Sequence, residues 1–129
     1  MEHLPYDGQS AQDQLAFAQY RQDLSRGKSH IQLLSVQSQM TDDIRKSWSP
    51  RSFTDVQTPI GVFDAVVCNI SYHYMKHGDA FVNIADMTRK GRSYFGLHRA
   101  AARSIEGGLL KFPNGSVFEA DGRIVTFFV

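Results

Sequence analysis

A single cysteine in 129 residues leaves no internal disulfide to expect. Cys68 sits in an apolar run and reads most simply as a small buried hydrophobe. Long hydrophobic runs are missing too: none approaches the ~20 residues that span a bilayer. The opening Met1-Glu2-His3-Leu4-Pro5 has neither the basic nor the apolar part of a signal peptide, so nothing here directs the chain to a membrane. With four prolines, no internal repeat, no low-complexity tract and no long linker, one domain over 1–129 is the expectation. What is present is 42% hydrophobic and 21% charged residues, ordinary for a globular domain and unlike collagen, disordered or coiled-coil chains. A chain of this size buries about two-thirds of the surface that its unfolded form exposes, enough for a core without metal or disulfide staples.

Net charge is close to zero, with 14 Lys+Arg against 13 Asp+Glu, but the charges are unevenly spread. Residues 1–69 carry 6 basic and 8 acidic side chains, and residues 70–129 carry 8 basic and 5 acidic. Between Lys76 and Arg103 the cations Lys76, Arg89, Lys90, Arg92, Arg99 and Arg103 face only Asp79 and Asp86. Such a run is either a solvated helix face or a phosphate-binding one.

Apolar Phe17, Tyr20 and Leu24 recur at helical spacing after a capping Ser10, with Asp13 in the first turn and Gly27 to stop it, so 11–25 reads as helix. Residues 29–48 are ambiguous, although Thr41-Asp42-Asp43 looks like a helix start leading into Ile44, Arg45 and Trp48, with Ser49-Pro50 as its stop. Trp48 itself reads as core. After Pro59-Ile60-Gly61, the run Val62 to Ile70 fits either a buried strand or the opening of a buried helix. Residues 71–76 fit a short helix that Gly78 ends just after His77. A second helix is expected over about 85–103, with Met87, Tyr94, Leu97 and Ala101 inward and most arginines outward, weakened by Gly91 and Gly96.

The last residues alternate like strands over 108–112, 116–120 and 123–129, separated by Pro113-Asn114-Gly115 and Asp121-Gly122, whose glycines suit tight turns. The expected architecture is α+β: N-terminal helices packed on one face of a small C-terminal antiparallel sheet, a three-stranded meander. Residues 1–60 form its helical part and 62–129 its core.

Tyr72-His73-Tyr74-Met75-Lys76-His77-Gly78-Asp79-Ala80-Phe81, a basic helix, and a meander closing on Gly122-Arg123-Ile124-Val125-Thr126-Phe127-Phe128 together resemble one family. It is that of the metal-independent RNase toxins of the barnase, EndoU, colicin D and RelE type, the BECR fold, found at the tips of colicins and contact-dependent inhibition proteins. The resemblance covers roughly 62–129 and rests on the order and separation of Lys-His-Gly and Thr-Phe-Phe. It implies an endoribonuclease toxin with no cofactor that cleaves RNA, above all tRNA, to a 2′,3′-cyclic phosphate and a 5′-hydroxyl. It also implies an acidic immunity protein over the cleft. Delivery to the target-cell cytoplasm as part of a larger secreted toxin follows, and leaves room for a protein activator there.

Metal-free RNA cleavage needs a base for the 2′-OH proton, an acid for the 5′-oxygen, and donors for the phosphorane charge. His77 suits proton transfer, because an imidazole exists in both protonation states near neutral pH. A lone histidine near a helix end is more often structural, and its place in Lys-His-Gly is what sets His77 apart. Lys76 points elsewhere on an ideal helix but lines the same cleft if Gly78 breaks the geometry. Thr126 on the last strand offers a hydroxyl. Arg123, at an odd offset, faces the other side unless a bulge intervenes, and ranks below it. Tyr94 is a further catalytic candidate, and with His98, four residues on, it can stack on an unpaired base as a substrate contact, or Tyr94 is simply core.

Arg89, Lys90, Arg92, Arg99 and Arg103 are the phosphate-contact candidates, and His73 is a packing or substrate-edge residue. His73 and His77 alone do not complete a metal motif. Asp79 and Ser116 are outside candidates with ordinary structural explanations. The competing readings are a non-catalytic RNA- or protein-binding module, a His-metal hydrolase, and a helical interaction domain dominated by residues 1–60.

Overall fold

A computed structural model describes residues 11–25, 27, 30–51 and 53–129. The chain runs α1 (Ala11–Ser25), α2 (His30–Ser38), α3 (Asp42–Lys46), β1 (Val56–Thr58), β2 (Gly61–Phe63), α4 (Ala65–His77), α5 (Ile84–His98), β3 (Arg103–Ile105), β4 (Leu109–Lys111), β5 (Val117–Glu119) and β6 (Ile124–Thr126). The expected α1 is present, while the Ser10 cap and the side chains of Asp13 and Phe17 lie outside the described residues. The ambiguous 29–48 region resolves into two helices, the second begun by Thr41, whose side chain accepts from the Ile44 N–H at 3.2 Å. No helix among the described residues is long and apolar enough to cross a membrane.

The open question at Val62–Ile70 is settled by Asp64. Its carboxylate accepts from the Val67 N–H at 3.1 Å and caps α4, so the run splits into strand β2 before it and helix after it. The short helix read at 71–76 is the second half of α4, which ends at Gly78 as expected. Burial first pushes the Asp64 carboxyl up, but Arg45 and the Val67 N–H outweigh it and leave it lowered. β1 pairs antiparallel with β2 across the 60/62 boundary, so the N-terminal part is not purely helical.

β3, β4, β5 and β6 pair antiparallel in chain order. The expected three-stranded meander is there as β4 to β6, and a fourth strand extends it. That strand corrects the helix read over 85–103: α5 stops at His98, Arg99–Ala101 make a 3-10 turn, and Arg103 opens β3. Ala100-Ala101-Ala102 gave no stop signal, and pairing with β4 overrode local propensity.

Side chains alternate across the sheet and build two cores. Leu109, Val117 and Val125 join α1, α2, the β1–β2 hairpin and Val67, Cys68 and Tyr72 of α4. Leu110, Phe118, Ile124 and Phe127 join α5, Ile44 and Trp48 on the opposite face. Both faces are therefore covered, where the sequence led us to expect one. Trp48 is core, and its indole N–H donates to the Thr88 hydroxyl at 2.9 Å. Cys68 is buried, and burial pushes its thiol up to about 12.

The inward stripe of α5 is Ile84, Met87, Thr88, Gly91, Tyr94 and Phe95, so Leu97, 77% exposed, and Ala101 point outward against expectation. From Gly91 and Phe95 the next helical step lands on His98, one position past Leu97. Gly91 is where α5 meets the sheet: a Cβ there lies 2.8 Å from Ile124 Cδ1 and 3.3 Å from Phe127 Cδ2. Around Gly96 nothing lies within 4 Å. Gly91→Ala should therefore lose about 1 kcal/mol, because overpacking outweighs the gain in helix propensity. Gly96→Ala should gain ~0.5 kcal/mol. Thermal melts of the two variants should shift in opposite directions.

Candidate active site

The last turn of α4 carries Lys76 and His77, cations suited to a helix C-terminus. His77 is half-buried, its ring 4.8 Å from that of Phe128, two residues beyond the end of β6. One turn earlier His73 is 1% exposed and lies parallel to His77, with centroids 6.1 Å apart and planes at 7°. On its far side His73 stacks on Trp48 at 6.4 Å. Four rings, Trp48, His73, His77 and Phe128, thus form a column from the core to a half-buried end. His73 is accordingly a packing residue, as one of its two sequence readings held.

Burial first, then the charge on His77 and Lys76, hold the His73 imidazole well below its ordinary 6.5. An unfolded histidine binds a proton below about 6.5. Folded His73 resists it, so its contribution to stability is full above that pH and shrinks as pH falls. His73→Phe, which keeps an aromatic ring in the column, should flatten the fall in melting temperature between pH 7 and pH 5.5.

Strand register gathers the rest of the site. Arg103 faces Lys111, Lys111 faces Val117, and Val117 faces Thr126, so these four residues share one sheet face. The register shifts on β6 where Val125 is inserted: Val117 pairs with Thr126 while Phe118 pairs with Ile124. The Glu119 N–H donates to the Arg123 carbonyl at 2.8 Å across the turn at Gly122, where φ is +96°. Arg123 thus lies opposite Glu119 on the Thr126 face, the bulge being the condition under which the sequence allowed it. Its guanidinium is tied to Asp121 at 3.0 Å.

Tyr94 is not brought to this face. It packs with Phe112, Phe118 and Phe127 and lies 4.4 Å from the His98 ring, on the α5 side of the sheet. The sequence reading of Tyr94 as core thus fits its place better than a catalytic role beside His77. Arg89 and Lys90 are both held by the buried Asp86, Lys90 at 3.2 Å. The Val82 N–H first, then Lys90 and Arg89, hold the Asp86 carboxyl below its usual range. Arg92, His98 and Arg99 are exposed on or beside α5, while Arg103 alone of the basic candidates lies in the sheet. Lys76 is exposed, its ammonium 5.7 Å from the Tyr72 ring centre. Asp79 is exposed in the 3-10 turn Gly78–Ala80, and the buried Ser116 hydroxyl accepts from the Phe128 N–H at 3.3 Å. Among the described residues no group of three or more His, Cys, Asp or Glu side chains is placed to hold a metal.

Sequence reasoning missed Lys111 and Phe128 as neighbours of the site. It also missed a buried network: Ser49 donates to the Glu119 carboxylate, which Arg51 meets at 3.0 Å, while the Asn69 amide donates to the Ser49 carbonyl at 2.7 Å. The only signal for Lys111 is its place between Leu110 and Phe112, which gains meaning once Arg103 is seen to stand opposite it. The protein is thus an α+β domain whose candidate site lies where the end of α4 meets Phe128, just past the last strand. Comparison with family models, curated proteins and solved structures gives no match.

Proposed function

We propose that the chain is a metal-independent endoribonuclease toxin that cleaves RNA, tRNA in the first place, and is neutralised by an acidic immunity protein. The observation that carries this reading is the placing of His77. A half-buried imidazole is held by two ring contacts, one of them to Phe128, which stands two residues after Thr126, and the strand face of Thr126 also bears two cations.

In this chemistry His77 takes the proton from a ribose 2′-OH, and the freed oxygen attacks phosphorus. The P–O5′ bond breaks, and Lys76 gives its proton to the departing oxygen. Thr126 donates to a non-bridging oxygen as charge builds there. The products are a 2′,3′-cyclic phosphate and a 5′-hydroxyl. Delivery by a larger secreted toxin into the target-cell cytoplasm belongs to the same reading.

The test is incubation of purified protein with total bacterial RNA in excess EDTA, followed by a denaturing gel and mapping of the ends. Discrete tRNA-sized fragments with 2′,3′-cyclic termini support the proposal. Intact RNA, even with target-cell lysate added as a source of activator, overturns it and favours a non-catalytic binding module. Cleavage that appears only with added metal favours a His-metal hydrolase.

A further inference from the structure

Where β3 and β4 run out, a cleft of about 290 Å³ opens, lined by Ala101, Arg103, Lys111, Phe112, Pro113 and Gly115. Arg103 and Lys111 stand directly opposite each other on the two strands. Side chains at such a directly opposed pair lie close together, so one anion seated between them meets both cations at once. Arg103 is exposed and has no carboxylate partner among the described residues, whereas Arg51, Arg89 and Arg123 are each paired with one. Ala101 and Pro113 give the cleft an apolar rim beside its cations.

The cleft also lies close to the end of the ring column. A Cβ on Gly115 falls 3.0 Å from the Phe128 ring, and that ring touches His77. One aromatic ring therefore separates the cleft from the imidazole. The volume lies at the small end for ligand pockets, enough for one phosphate and an attached sugar or base.

We propose that this cleft is a phosphate subsite, in which Arg103 and Lys111 grip a backbone phosphate of the RNA strand away from the bond being cut. The proposal rests on the nuclease reading for its ligand, and it specifies what holds the strand there. Guanidinium and ammonium play different parts: Arg103 presents a planar fork to two phosphate oxygens, while Lys111 acts as a point charge.

The experiment is a titration with a 2′-O-methyl RNA trinucleotide, which has no free 2′-OH and cannot be cleaved, so binding is read without catalysis. Amide shifts in NMR should cluster at 101–103 and 111–115. Arg103→Gln with Lys111→Gln should weaken binding at least tenfold. The slope of log affinity against log salt should flatten by about 0.7, the loss of one single-strand phosphate contact. The exposed Arg103→Gln alone should show a smaller loss in the same direction, in a chain whose melting point confirms its fold.

Shifts confined to Arg92, His98 and Arg99, no binding at all, or undiminished affinity in the folded double variant would overturn the subsite. Binding here with RNA left intact by the native protein keeps the phosphate site and removes the nuclease. Cleaved RNA with no binding here does the reverse.

Discussion

His77→Ala should lower RNA cleavage in EDTA by about 10²–10⁴-fold, the usual range for removing one proton-transfer group. The same substitution should cost about 1–3 kcal/mol of stability and leave the protein folded, because His77 is half-buried and its loss removes one ring contact with Phe128 and one with His73. Such contacts are worth about 0.5–1.5 kcal/mol each. Activity and stability therefore separate, and both are read on one preparation by gel rates and a thermal melt. The acid limb of the pH–rate profile should vanish with the imidazole. Near-native rates from a folded His77→Ala protein would remove His77 from the chemistry.

Trp48→Ala should have the largest effect on stability, about 3–5 kcal/mol. The indole is fully buried, donates to Thr88 and backs the imidazole of His73. It also sits in the segment that runs alongside β6, with the Ser49 N–H donating to the Ile124 carbonyl and the Ile124 N–H donating to the Ser47 carbonyl. Against a total stability of about 5–15 kcal/mol, the loss brings the fold close to failure at 37 °C. Trp48→Phe keeps a ring against His73 and surrenders the indole hydrogen bond. It should lose only part of that amount and retain more activity than Trp48→Ala. Chemical denaturation of the two variants gives the comparison, and equal losses would show that the hydrogen bond, rather than the ring, is what matters at this position.

The parts of this structure legible in the sequence are those that local chemistry decides. Asp121-Gly122 could only be a turn, Gly78 stopped α4, and Thr41 started α3. β3 was hidden because Arg103-Ser104-Ile105 is three residues long and follows an alanine run, so only its pairing with Leu109–Lys111 makes it a strand. Of the candidate site, His77 and Thr126 were legible as candidates, because short motifs mark them. The site was not legible at Lys111, whose meaning depends on that hidden strand, nor in the packing of Tyr94 among Phe112, Phe118 and Phe127. The side faced by Arg123 depended on one inserted residue, Val125, and no periodicity announces a bulge.

The segment around Trp48, bridged in parallel to Ile124, has a consequence beyond packing. It covers one flank of the main sheet at Ile124, whose N–H and C=O are taken up by Ser47 and Ser49 and so are not offered to another molecule. The other flank is β3, short and exposed, with the positively charged Arg103 at its start. Bare strand edges are templates for aggregation, and brevity and charge are the usual guards against it. Removal of the charge at Arg103 therefore reaches further than ligand binding: it leaves the β3 flank, which pairs with no further strand among the described residues, to brevity alone, and self-association at high concentration is where that would show first.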